Sequence, residues 1–165
     1  MNKILFLITI LTACFVVKAQ SNEYFPEVEL ETTKNRIINS NSFAKSAHPK
    51  VIVFWITTDR SSIMEVSALN DVTPIWGKEY QAQTIAISLD NKKNLKKVIP
   101  FVRSNKWILD CYMDPSAKSM IELKGKNVPL TVIVDGTGKI IWRKEGFNSN
   151  TIALIREELI KLNEK

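Results

Sequence analysis

The stretch Val51-Ile52-Val53-Phe54-Trp55-Ile56-Thr57-Thr58-Asp59-Arg60-Ser61-Ser62-Ile63-Met64-Glu65 decides how this chain folds. Its first part, Val51 to Ile56, is an unbroken apolar run rich in β-branched and aromatic residues. Such a run reads as a strand buried on both faces, the central strand of an α/β sheet. The second part opens a helix: Asp59, Ser61 and Ser62 are all favourable N-cap residues, and Ser62 to Glu65 spells a capping box. A buried strand thus delivers the chain onto a helix N-terminus, where free N–H groups and the helix dipole favour negative charge.

Downstream, Val66, Leu69, Val72, Trp76 and Tyr80 make one apolar stripe at spacings of three and four, which predicts a helix from Arg60 to Tyr80. Pro74 lies inside it and is expected to kink or divide it. Thr84 to Leu89 reads as a second strand and Lys92 to Ser104 as a basic amphipathic helix. Trp107 to Met113 reads as a third strand, carrying Cys111. Asp114-Pro115-Ser116 starts a short helix that ends before Lys124-Gly125-Lys126-Asn127. Val128-Pro129 precedes a fourth strand, Leu130 to Val134, and Asp135-Gly136-Thr137-Gly138 turns it into an antiparallel strand, Lys139 to Arg143. A last helix begins near Ser149 or Asn150, with Ile152, Ile155, Leu159 and Leu162 on one face. Strands alternating with helices, closed by a hairpin and a helix, argue a three-layer α/β domain.

Upstream of the central strand the residues are polar and mixed. Short apolar pieces at Val28 to Leu30 and Arg36 to Ile38 suggest a hairpin or edge strand. His48, the only histidine, sits in a turn with Pro49, and with no second histidine it is read as a loop residue rather than a metal ligand or base. The first nineteen residues read as a secretory signal peptide. Met1-Asn2-Lys3 is positive, Ile4 to Val17 is apolar, and Val17-Lys18-Ala19 offers small residues for cleavage. This predicts export and a single domain over 20–165. A competing cut is Leu11-Thr12-Ala13-Cys14, which would leave Cys14 as a lipid anchor, although Phe15, Val16 and Val17 are apolar where a polar tether is usual.

Removing the leader leaves 21 basic and 17 acidic residues, so the net charge falls from +6 to +4. Lys92, Lys93, Lys96 and Lys97 cluster but alternate with Leu95, Val98 and Ile99, as on the solvated face of an amphipathic helix. Cys111 is then the one remaining thiol, so no internal disulfide is available. Its apolar strand neighbours argue for a packing cysteine; an exposed thiol forming mixed disulfides is the other reading. No Gly-rich phosphate loop, Ser/His/Asp set or Cys/His metal spacing is present. No cofactor, metal or nucleic acid is expected.

Phe54-Trp55 leading into a helix start, Asp114-Pro115, and the run Val128-Pro129-Leu130-Thr131-Val132-Ile133-Val134-Asp135-Gly136 together resemble the thioredoxin superfamily. The similarity is to its TlpA-like branch of periplasmic thiol–disulfide reductases, and it extends from about Val28 to Leu162. It implies a thioredoxin-like three-layer α/β/α sandwich with a mixed central sheet, and a cis peptide bond before Pro129. It also implies a Cys-x-x-Cys pair at the helix start, whose first thiolate attacks and whose second resolves the mixed disulfide. Aligned through Phe54-Trp55, those positions hold Asp59 and Ser62. Thr58 stands at the family's tryptophan and Ser67 at its proline, while Glu65 matches its acidic residue. Neither Asp nor Ser forms a disulfide, and no cysteine lies between Cys14 and Cys111 to rescue the chemistry by a shift in register.

Three functional readings follow. The first is a redox-inactive thioredoxin-like domain of the periplasm or cell envelope that binds a protein or extended peptide near Thr58, Asp59, Arg60, Val128 and Pro129. The second is a thiol–disulfide oxidoreductase that works through Cys111 or a partner's thiols. The third, a non-redox enzyme built on Asp59, has no base or metal placed to support it.

Overall fold

The computed structural model describes residues 23–164; the expectations for residues 1–19 and for Cys14 lie outside them. Strand β1 (Glu29–Thr32) and β2 (Ile37–Asn39) form the N-terminal hairpin, followed by the short helix α1 (Asn41–Ala44). Then come β3 (Lys50–Trp55), α2 (Arg60–Tyr80), β4 (Gln83–Ser88), α3 (Leu95–Ser104), β5 (Asp110–Met113) and α4 (Lys118–Glu122). The chain closes with β6 (Leu130–Val134), β7 (Ile140–Glu145) and α5 (Thr151–Asn163).

All seven strands join one sheet in the order β2-β1-β5-β4-β3-β6-β7. The centre is parallel, β3 with β4 and β4 with β5, and the flanks are antiparallel. Every residue of β3 is buried, as its unbroken apolar run requires of a strand covered on both faces. Alternation along the strands divides the core. Val51, Val53 and Trp55 pack with Val66, Leu69 and Trp76 of α2, Val98 of α3, and Ile155 and Leu159 of α5. Ile52 and Phe54 face the other way, onto Phe43 of α1, Met120 of α4 and Leu123 at its end. The result is the three-layer α/β/α arrangement with a mixed sheet.

Several local expectations shift. Pro74 does not divide α2, which runs unbroken from Arg60 to Tyr80. Pro74 lies on the exposed side, where solvent can meet the carbonyl its missing N–H leaves free. Helix α3 begins at Leu95 rather than Lys92, because the Asn91 side chain accepts from the N–H groups of Lys93 and Asn94 and holds a turn there. The third strand covers only Asp110–Met113. The N–H of Ile108 donates at 2.6 Å to the Asn70 carboxamide oxygen of α2, so this segment is pinned to a helix rather than to the sheet.

The Asp135–Gly138 turn forms as expected. The Asp135 carboxylate accepts from the N–H groups of Thr137 and Lys139, and a Cβ on Gly136 would meet the Ala47 carbonyl oxygen at 2.8 Å. The N-terminal end is tied to this hairpin, with Phe25 N–H donating to Gly138 and Ile140 N–H to Glu23, each at 2.8 Å. Among the described residues, no helix is long and apolar enough to cross a membrane.

Candidate functional site

The junction after β3 is built around Asp59. Its backbone is extended (φ −101°, ψ 111°) and its carboxylate accepts from Ser62 N–H at 2.7 Å, so Asp59 is the N-cap of α2. Ser61 Oγ also donates to it, at 2.8 Å. Burial works against the Asp59 charge, but the Ser62 N–H and the serine hydroxyls outweigh it and hold the carboxyl below its ordinary range. Thr58 and Arg60 flank it, both exposed.

The Ser62–Glu65 capping box does not form. Ser62 is already the third residue of α2, buried, and its hydroxyl donates to the Asp59 carbonyl at 3.0 Å. Glu65 instead reaches across to β6, where the Thr131 hydroxyl donates to its carboxylate. It is 1% exposed. Burial pushes its carboxyl up to about 7, against the pull of the Thr131 hydroxyl and the Lys144 ammonium.

The register brings the second half of the site alongside. Phe54 pairs with Leu130 at the end of the β3–β6 ladder, so the chain leaving β3 runs beside Val128 and Pro129 as they enter β6. The Val128–Pro129 bond is cis. Pro129 is buried and Val128 half-buried, and the Pro129 carbonyl accepts from Gly146 N–H at 2.7 Å. The sheet thus gathers Thr58, Asp59, Arg60, Val128 and Pro129 at one end.

Cys111 is not at that end. It pairs with Ala86 in the sheet and packs in the core shared with α2, α3 and α5. Burial, with Asp110 adding repulsion, pushes its thiol up to about 12, which leaves almost no thiolate near neutral pH. A maleimide is therefore expected to label Cys111 of the folded protein only as fast as the core opens, and fully after denaturation. Mass spectrometry of the Cys111 peptide checks this, and rapid labelling of the folded chain would overturn the burial.

Asp90, just past β4, is a further residue of the site that residue type and spacing do not mark. It is 3% exposed. Its carboxylate accepts from Thr57 N–H at 2.9 Å, Thr57 Oγ1 at 2.6 Å and Ser88 Oγ at 2.8 Å. The end of β4 thereby clamps the loop that presents Thr58 and Asp59. Removing this acceptor strands three part-buried or buried donors, so Asp90→Ala is expected to cost about 1–3 kcal/mol. Urea denaturation and amide exchange at Thr57 report the loss; a change below about 0.5 kcal/mol, the range of unremarkable surface substitutions, would contradict the clamp. Ser88 is a local partner, but no sequence signal marks the clamp, because both Thr57 donors are brought to Asp90 only by folding.

No family model and no curated protein matches the chain. Solved structures do. An uncharacterized thioredoxin-like protein from Porphyromonas gingivalis is 26% identical, with a TM-score of 0.75 over 87% of this chain and 95% of that one. A thiol-disulfide oxidoreductase from Bacteroides fragilis is 16% identical (TM-score 0.68, 83% of this chain and 99% of that one). StoA from Bacillus subtilis is also 16% identical (TM-score 0.65, 82% and 97%). The chain has a thioredoxin-like fold.

Proposed function

We propose that this protein is an exported, TlpA-like thioredoxin-fold domain without a redox dithiol, which holds a protein or extended-peptide partner at Thr58, Asp59, Arg60, Val128 and Pro129. The observation that supports the reading is the β3–β6 register, which sets the helix start capped by Asp59 at the same sheet end as the Val128–Pro129 segment. Asp59 and Ser62 have the i, i+3 spacing that thiol chemistry requires, yet both side chains are engaged in closing the helix turn. Val128 precedes the β6 ladder, so its peptide groups are available for an extended backbone to pair with, a form of strand addition. Export is supported by the charge, apolar length and small residues of the first nineteen positions.

The test is disulfide reduction by the natural chain beside an Asp59→Cys/Ser62→Cys variant. The natural chain is expected to be inactive and the variant active, because a cysteine at the N-cap would gain a depressed pKa with its resolving partner one turn on. Activity in the natural chain would sink the redox-inactive reading. The binding half is tested by titrating the natural chain with an unfolded polypeptide. Amides of residues 57–60, 128 and 130 should shift first; shifts confined to other surfaces contradict the site.

A further inference from the structure

From Asn91 to Leu109 the chain carries six cations, Lys92, Lys93, Lys96, Lys97, Arg103 and Lys106, and no acidic residue. All six side chains are exposed. The apolar side of α3 is committed to the core through Leu95, Val98, Ile99, Phe101 and Val102, which turns the cations outward. Folding adds two more: the β1–β2 turn brings Lys34 and Arg36 to the groove they share with Val102 and Trp107. None of these eight forms an ion pair among the described residues. Glu29, Glu31 and Asp110 bring the negative charge into the grooves that these cations line. Residues 23–164 hold 20 basic and 17 acidic residues, so with eight cations and three acids on this face the rest carries a net −2. The positive excess is concentrated on one side.

We propose that this face, α3 with the β1–β2 turn, seats the protein on an anionic phospholipid surface. A specific protein interface needs a desolvated apolar centre, and on this face the exposed large apolar side chains are two isolated ones, Ile108 after α3 and Ile37 beside the β1–β2 turn. A sheet of lipid phosphates needs only spread, unpaired positive charge within a Debye length.

The experiment is flotation of the full chain with vesicles of phosphatidylcholine containing about one-third phosphatidylglycerol, beside pure phosphatidylcholine, across a salt series. Preferential binding to the anionic vesicles that disappears by about 0.5 M NaCl is expected. At roughly fivefold per cation near the surface, Lys92→Gln/Lys93→Gln/Lys96→Gln/Lys97→Gln should weaken that binding on the order of several hundredfold. Lys45→Gln/Lys78→Gln/Lys124→Gln/Lys161→Gln makes the same change in net charge elsewhere and should weaken it far less. Any contribution of the apolar N-terminal stretch is common to all three chains. Equal losses in the two variants would overturn the proposal. So would the absence of an anionic preference in the unaltered chain, which would leave an acidic protein surface as the occupant; that arm needs no variant to fold.

Discussion

Trp55→Ala is expected to lower stability by about 3–5 kcal/mol, the range for removing a large buried aromatic side chain. Trp55 is fully buried at the end of the central strand. Its ring meets Trp107 edge-on at 4.9 Å and Phe101 at 5.6 Å, so truncation opens a void where β3, α3 and the segment after α3 converge. The indole N–H has no hydrogen-bond partner among the described residues, and burying an unpaired donor is itself unfavourable. Trp55→Phe should therefore cost much less than Trp55→Ala, since it keeps most of the volume and removes the stranded donor. Urea unfolding of the three chains separates these terms, with the midpoint moving and the slope constant. Equal costs for the two substitutions would show that the aromatic packing is not what holds the junction.

Glu65→Gln is expected to change the pH dependence of stability. The folded-state carboxyl titrates at about 7, above its ordinary value of 4.5. Between those values the folded protein holds a proton that the unfolded chain has released, so stability falls as pH rises through the window and levels off above it. The displacement corresponds to about 3 kcal/mol at its full extent. Glutamine keeps an oxygen for the Thr131 hydroxyl but cannot ionise, so the variant should lose this slope and be the more stable protein above pH 7. Asp59 and Asp135 are displaced downward; their contribution is present above the ordinary carboxyl range and is lost as pH falls through their folded values, outside this window. Calorimetric melting from acid to mildly alkaline pH decides it, and parallel curves for the two chains would contradict a burial-raised Glu65.

The two halves of this site were unequally legible. Asp59 as a helix cap is a local matter, since an N-cap needs only its own carboxylate and the N–H three residues on, and the sequence contains both. The capping box that the spacing predicts does not form because Glu65 has a competing partner, Thr131, distant in sequence. The hairpin at Asp135–Gly138 and the strand before it were readable from turn chemistry and alternation. The Asn70 contact that shortens β5 and the Asp90 clamp on Thr57 were not, because each joins a side chain to backbone that only the finished sheet brings near.

The sequence by itself determined the buried central strand, the alternation of strands and helices, and the absence of a cysteine pair at the start of α2. These follow from residue type and periodicity, which act over a few residues at a time. The tertiary structure alone decided where Cys111 faces, that Glu65 is sealed against Thr131, and that Lys34 and Arg36 join the α3 lysines on one face. Burial, and the charge a group meets there, depend on residues far away along the chain, and they take a value only once the sheet has set its order.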